Sequence, residues 1–546
     1  MAKKNKSVSK KDYGYYLGFV GNVLLWISIL AYYIVLPLYF KNGYELIATN
    51  KYKCFMFISK NVLFTLLVFA LVYFSTWGMN KKEIQVFKPI SKIDLSMLFL
   101  ISAFVLSYSL SNYKKVGEKD SYFFFEGAIY GANGWFMGLV TFVIMVLVYF
   151  LVTRFYYYSK YIWYPVLGVS SVIFVWGILN RYGIFPVDMS GGFLTEEDLV
   201  SYLASIGNIN WFAGFQSVMV PLLVGFYWAE EDSVKRKLLG ILVYVAGGAV
   251  LLNGSDSAVM SYMVMGFVLL LVSVSSEKKM MRFSEVLFLF SFAGITLSII
   301  DLIFPGVRSH PSDFSDIFME GVSAVLIFIV AILLRFYFGM CKLNKVKYSE
   351  WAKNKLSKVL IICALAGLAL TVILITVNTL SHGALPLIGD KGVFNFDDDW
   401  GSSRGATWTM GLKTFAGLPF IHKIFGAGPD CFYFALRDND YVYDLAFEYF
   451  GGARLTNAHC EIITLLVNTG LVGLAAFVTM NVYAIKTFTK KIKDDPYMVA
   501  FTLSVVMYLA NNLFSFEQIT NVPFYFLTIA MGAAKIVALE KKKGIL

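Results

Sequence analysis

Apolar runs long enough to cross a bilayer recur along this chain, and no soluble fold can absorb so many. Crossing the hydrocarbon core takes about 20 apolar residues at roughly 1.5 Å of rise each. Runs of that kind occupy residues 15–40, 58–78, 93–112, 134–155, 160–180, 208–229, 236–253, 256–275, 285–304, 319–341, 356–377, 457–487, 497–515 and 521–538. Composition agrees, with 58% hydrophobic and only 15% charged residues, where soluble domains are about half apolar and a quarter charged. In lipid every backbone amide needs an internal partner, which leaves helices for runs of this length. The expected fold is an all-α membrane protein, a polytopic bundle of about 14 transmembrane helices forming one domain over 1–546. The leading MAKKNKSVSKK carries no cleavage pattern, so the first run is expected to remain as a helix.

Charge sets the expected orientation. With a cytoplasmic N-terminus, roughly 31 Lys and Arg fall inside and roughly 15 outside, as the positive-inside rule requires. Fourteen crossings return the C-terminus to the cytoplasm beside its own lysines. The formal charge of +11 is scattered between apolar runs rather than gathered on a soluble face, so nucleic acid is not an expected partner. The longest segment between runs, 378–456, lies between the eleventh and twelfth and faces outward in this topology. A connection of that length in a compact protein is usually functional.

Several chemistries are missing from the sequence. There is no Gly-x-x-x-x-Gly-Lys-Ser/Thr loop and no His-Glu-x-x-His helix, which removes P-loop nucleotide hydrolysis and zinc proteolysis. No run carries a chain of acids and bases suited to proton pumping, and Arg335, the one clear cation inside a run, is close enough to its inner end to snorkel. Asp397, Asp398 and Asp399 point different ways in most backbones and read as a solvated turn, so no metal site is expected. The five cysteines form no Cys-x-x-Cys pair; a pairing of Cys431 with Cys460, which share the long loop, stays open.

The long loop does offer chemistry. Apolar residues from Ala406 to Ile424 recur at helical spacing, with a break at Pro419, as in a helix lying at the membrane interface. Arg404, with Ser402 and Ser403, precedes that helix. A guanidinium beside free backbone N–H groups suits a diphosphate, and a solvated turn arginine is the plainer alternative. His459 stands at the outer mouth of the next run. A neutral imidazole there can accept a proton from a sugar hydroxyl, or can simply cap the helix. The aromatic stretch from Phe432 to Phe450 fits either sugar stacking or packing onto the bundle.

The order of these pieces resembles the O-antigen ligase and polymerase superfamily, in the form common in Gram-positive bacteria. The resemblance is dense from about Asp397 to Gly473. It runs through Trp400, Gly401, Ser402, Arg404, Gly405 and Trp408, then Pro419 and the Gly426, Gly428, Pro429, Asp430 turn. It ends with Ala458, His459, Glu461 and the Thr469–Leu474 stretch. Earlier, GNINWFAGF from Gly207 and the turn at Ser255 look like two further family motifs. The resemblance implies a glycosyltransferase on the outer face of the cytoplasmic membrane, needing neither metal nor nucleotide cofactor. Its donor would be an undecaprenyl-diphosphate-linked oligosaccharide and its acceptor a glycan hydroxyl. His459 would be the base, Arg404 a diphosphate ligand, and Glu461 the group holding the imidazole tautomer. Trp408, Gly426, Gly428, Asp430, Asn208, Asn210 and Ser255 would join Ser402 and Ser403 in binding substrate.

Two positions depart from the family pattern. Asp256 stands where many members have Arg, so either Arg308, Arg454 or Lys413 substitutes for that charge or the turn does something else; Cys460 replaces a common Asn. The expected activity is a capsule or wall-polysaccharide polymerase ahead of a ligase. A flippase of lipid-linked glycans, or a relative that binds the donor without catalysis, is the alternative.

Overall fold

The computed structural model describes residues 10–75, 89–115, 126–192, 194–309, 312–385, 388–389 and 392–544. Each of the fourteen predicted runs coincides with a helix. In chain order these are α1 (Phe19–Leu38), α2 (Ile47–Val72), α3 (Lys92–Leu110), α4 (Leu139–Phe155), α5 (Lys160–Arg181) and α6 (Ile209–Ala229). Then come α7 (Ser233–Leu251), α8 (Asp256–Ser273), α9 (Glu277–Ile303), α10 (Gly321–Lys342) and α11 (Ala352–Leu380). After the long loop, whose helices are α12 (Trp400–Gly417), α13 (Phe420–Phe425), α14 (Phe432–Arg437) and α15 (Asp440–Tyr449), the chain ends with α16 (Glu461–Lys491), α17 (Met498–Asn512) and α18 (Val522–Lys542). Among the described residues 11 helices are long and apolar enough to cross a membrane, while α4 and α17 are shorter and apolar. The protein is an all-α polytopic membrane protein. Its one sheet among the described residues is a two-stranded ribbon, Tyr202–Leu203 against Gly207–Asn208.

Burial grades from centre to rim. The most apolar window is 89% buried in α18 and 83% in α6, but 22% in α10 and 0% in α11. A helix apolar on every side and exposed on every side suits hydrocarbon as its surroundings. Lipid tails are as apolar as leucine, so the central helices associate through close packing and hydrogen bonds rather than by escaping water. Gly214 packs against Asn521 and Gly225 against Ala500, letting α6 approach α18 and α17 closely. Ser504 Oγ donates to the Val218 carbonyl at 3.0 Å, and Gln216 Nε2 to that of Ala249 at 2.9 Å.

More cations lie within helices than Arg335, which itself sits over the Phe288 ring. Arg181 is buried at the end of α5, donating to carbonyls of Leu252, Val200 and Asn253. Arg154 pairs with buried Asp94 at 3.0 Å. Both lie near helix ends, where apolar periodicity does not reveal them.

Candidate active site

The loop before α16 is shaped by its own side chains. Asn457 Oδ1 accepts the His459 N–H at 2.9 Å, a local turn that holds His459 at φ +47°. The Ala458 N–H donates to Thr464 Oγ1 at 3.1 Å, and Thr407 Oγ1 donates to the Ala458 carbonyl at 3.0 Å. His459 is thereby pinned between α12 and α16, its ring edge-on to Phe516 at 5.2 Å. Burial, reinforced by the Arg404 charge, lowers its pKa to about 4, so the imidazole is neutral at physiological pH.

Arg404 reaches the same place from α12. Gly401, Ser402 and Ser403 all take left-handed backbone angles, conformations costly for the two serines and concentrated at functional sites generally. Gly405 sits so close to the Asp397 carbonyl that no Cβ fits there. This tight turn aims Arg404 inward. Its Nε and Nη2 donate to the Phe514 carbonyl at 3.0 and 2.9 Å, and Nη1 to the Gly401 carbonyl at 2.6 Å. Of five guanidinium N–H groups, two are left for an anion. Burial lowers the Arg404 pKa, and Asp256 works in the opposite direction. Ser402 is exposed. Ser403 accepts a hydrogen bond from Tyr449, whose hydroxyl also lies 2.6 Å from Asp399. Trp408 stacks on Phe514 and packs on Trp400, bracing the carbonyl that grips Arg404.

The glycine turn packs against a break in α16. Gly470 (φ 68°, ψ −171°) breaks α16, and the break frees carbonyls that the turn captures. The N–H groups of Ala427 and Gly428 donate to Val467 and Asn468, each at 2.9 Å, while Ser107 Oγ also reaches Asn468 at 2.8 Å. Gly426 lies against the Asn468 and Thr469 backbone, where a side chain has no room. Asp430 is buried, its Oδ2 accepting N–H bonds from Ala132 at 2.8 Å and Met137 at 3.0 Å. Burial raises its pKa to about 7. These three residues seat the loop on the bundle.

The earlier motifs converge with one another. Asn208 caps α6, Ser255 Oγ donates to Asn210 Oδ1 at 3.2 Å, and Ser255 and Ser257 share a hydrogen bond of 2.8 Å. Asp256 accepts from Ser312 and from the Phe314 N–H at 3.3 Å, holding the start of a short helix, Asp313–Met319. Arg308 is committed to Asp301, Asp316 and Glu320. Arg454 pairs with Glu126 at 3.0 Å over the Tyr433 ring, and Lys413 lies over the Tyr441 ring. Of the remaining histidines, His422 Nδ1 lies 2.8 Å from the Gly426 carbonyl, and His310 falls outside the described residues. Cys431 and Cys460 are free, buried thiols. Among the described residues no group of three or more His, Cys, Asp or Glu side chains is placed to hold a metal ion.

Glu461 sits elsewhere than the resemblance implies. Its carboxylate turns into the bundle and accepts the Glu517 N–H at 2.7 Å. No described bond joins it to the His459 ring. Phe514, Phe516 and Glu517, between α17 and α18, are the site residues that sequence reading overlooked. The available signal was a glutamate directly after Phe514 and Phe516 in the short segment between the last two apolar runs.

Fold and site together define a polytopic helical membrane protein with a buried polar site where its long loop meets the bundle. The family model described as O-Antigen ligase matches residues 314–478. Over that stretch the chain is similar to O-antigen ligases, and the match supports the O-antigen ligase and polymerase superfamily and a glycan-processing function of that type. The matched stretch contains Arg404 and His459 but not Asn208, Asn210, Ser255 or Glu517. No curated protein matches the chain.

Proposed function

We propose that the protein transfers glycan from a polyprenyl-diphosphate donor, undecaprenyl diphosphate in the cell, to a sugar hydroxyl on the outer face of the cytoplasmic membrane. The carrying observation is that Arg404 and His459 meet at one short segment, Arg404 on the Phe514 carbonyl and His459 against the Phe516 ring. Arg404 holds the diphosphate through its two free N–H groups. His459 takes the proton of the acceptor hydroxyl as its oxygen attacks the anomeric carbon. The bond from that carbon to the diphosphate oxygen breaks, releasing polyprenyl diphosphate. Charge stabilisation comes from the guanidinium, so the step calls for neither metal nor nucleotide. Arriving diphosphate offsets the Arg404 charge and raises the His459 pKa, making it a better base once the donor is bound. The lysine bias favours cytoplasmic termini and an outward loop, and the lack of a fixed lipid core acceptor in a Gram-positive envelope favours polymerase over ligase.

The test compares purified wild type with His459→Ala and Arg404→Ala on polyprenyl-diphosphate oligosaccharides in detergent, with EDTA and without nucleotide. Wild type should release polyprenyl diphosphate and both variants should lose release by about 10²-fold or more. Lengthening ladders identify a polymerase, and single transfer to an added acceptor a ligase. The acid limb of kcat/KM, which reports the free enzyme, should lie near the His459 pKa of about 4. Full activity in His459→Ala would remove the base assignment.

A further inference from the structure

The segment between α17 and α18 touches both members of the candidate site. The Phe514 carbonyl receives two Arg404 bonds, and the Phe516 ring meets His459. The next residue, Glu517, is buried, and so is Glu461. Glu461 Oε2 accepts the Glu517 N–H at 2.7 Å, and both residues line the same small cavity. Glu517 Oε1 is buried without a partner. Among the described residues neither carboxyl forms an ion pair. The titratable groups facing them are Asp430 from the glycine turn, Tyr508 from α17 and Tyr525 from α18, with His459 two residues before Glu461. None of these brings a positive charge at neutral pH.

Two ionised carboxylates in such a place would repel each other. One proton between them replaces repulsion with a charge-assisted O–H···O bond. A cavity of about 20 Å³ adjoins the pair, lined by Asp430, Asn457, Thr464 and Asn468 besides the two glutamates. It has room for one water beside the two carboxyls.

We propose that Glu461 and Glu517 share a single proton, and that this shared bond locks the 513–521 segment so that it presents Arg404 and His459 correctly. Glu517 is then a positioning residue whose lock opens when the pair loses its proton. The role in transfer rests on the function proposed above, whereas the shared proton does not. Burial and the neighbouring Glu461 push the Glu517 carboxyl well above the usual carboxylate range. The folded protein therefore keeps a proton that the unfolded chain releases, so stability declines as pH rises towards the folded pKa. The lock is present at neutral pH and lost on the alkaline side.

Glu517→Gln keeps a donor in the pair without needing a proton, and Glu517→Ala removes the partner. Infrared spectra of the purified wild type at neutral pH should show a protonated carboxyl band, shifted in D₂O, that Glu517→Gln diminishes. The wild-type thermal midpoint should fall at alkaline pH, and Glu517→Gln should flatten that fall. In transfer assays Glu517→Gln should stay within about threefold of wild type at neutral pH and extend activity by about one pH unit, while Glu517→Ala loses about tenfold. An unchanged infrared spectrum, or the same alkaline loss in Glu517→Gln as in wild type, would overturn the shared proton. Infrared and thermal changes as expected, without any transfer by wild type, would leave the proton pair standing and remove the proposed function instead.

Discussion

Replacing Arg404 with lysine separates charge from geometry. The guanidinium spans two carbonyls at once, with Nε and Nη2 on Phe514 and Nη1 on Gly401. A lysine ammonium keeps the charge but is a single point that cannot bridge both while also facing a ligand. Hydrogen bonds from charged donors are worth about 1.5–3 kcal/mol each. Of three bonds one is regained, so the net loss is about 3 kcal/mol at the lower end, roughly a 10²-fold effect. That loss should appear as a lowered thermal midpoint in detergent and about 10²-fold slower polyprenyl-diphosphate release. The pH profile supplies an internal control. Lysine retains the positive charge that helps depress the His459 pKa, so the acid limb should stay where it is in wild type. Arg404→Ala should move that limb upward, towards the ordinary histidine value of 6.5. Wild-type transfer by Arg404→Lys would show that the fork is unimportant, and an unmoved acid limb in Arg404→Ala would remove the electrostatic link between the two residues.

Gly470→Ala should destabilise the protein by at least about 1–3 kcal/mol, since its backbone angles are essentially reserved for glycine. The new methyl also meets the Ile424 carbonyl and the Gly426 nitrogen, so transfer should fall as the glycine turn unseats; a normal thermal midpoint in this variant would contradict the kink geometry. Asp430→Asn keeps an acceptor for the Ala132 and Met137 N–H groups but cannot ionise. Because Asp430 titrates near 7 folded against 3.8 ordinarily, the folded state binds more protons across that window and loses stability as pH rises through it. Asp430→Asn should reduce that slope in a thermal series, leaving the part that belongs to the glutamate pair, and an unchanged slope would show that Asp430 contributes none of it.

The helices were legible because a bilayer imposes length and apolarity on each crossing, and both are local properties of sequence. All fourteen runs overlap helices, although α2 begins at Ile47 rather than 58 and α9 at Glu277 rather than 285, and 11 of the described helices are long and apolar enough to cross a membrane. Arg404 and His459 stood out for a similar reason, being scarce charged or titratable residues at helix mouths in the one long loop. The roles of Gly426, Gly428, Asp430 and Glu461 were not legible. Each depends on a partner far along the chain: the carbonyls freed at the Gly470 break, the backbone of Ala132 and Met137, and the N–H of Glu517. Asp256, a departure from the family pattern, became intelligible only when the fold brought Ser312 and Phe314 to it. Hydrophobic periodicity determines which segments enter lipid, because transfer from water is roughly additive along a segment. Which polar groups meet inside the bundle is decided by packing, because a buried donor must find its acceptor wherever the tertiary structure places one.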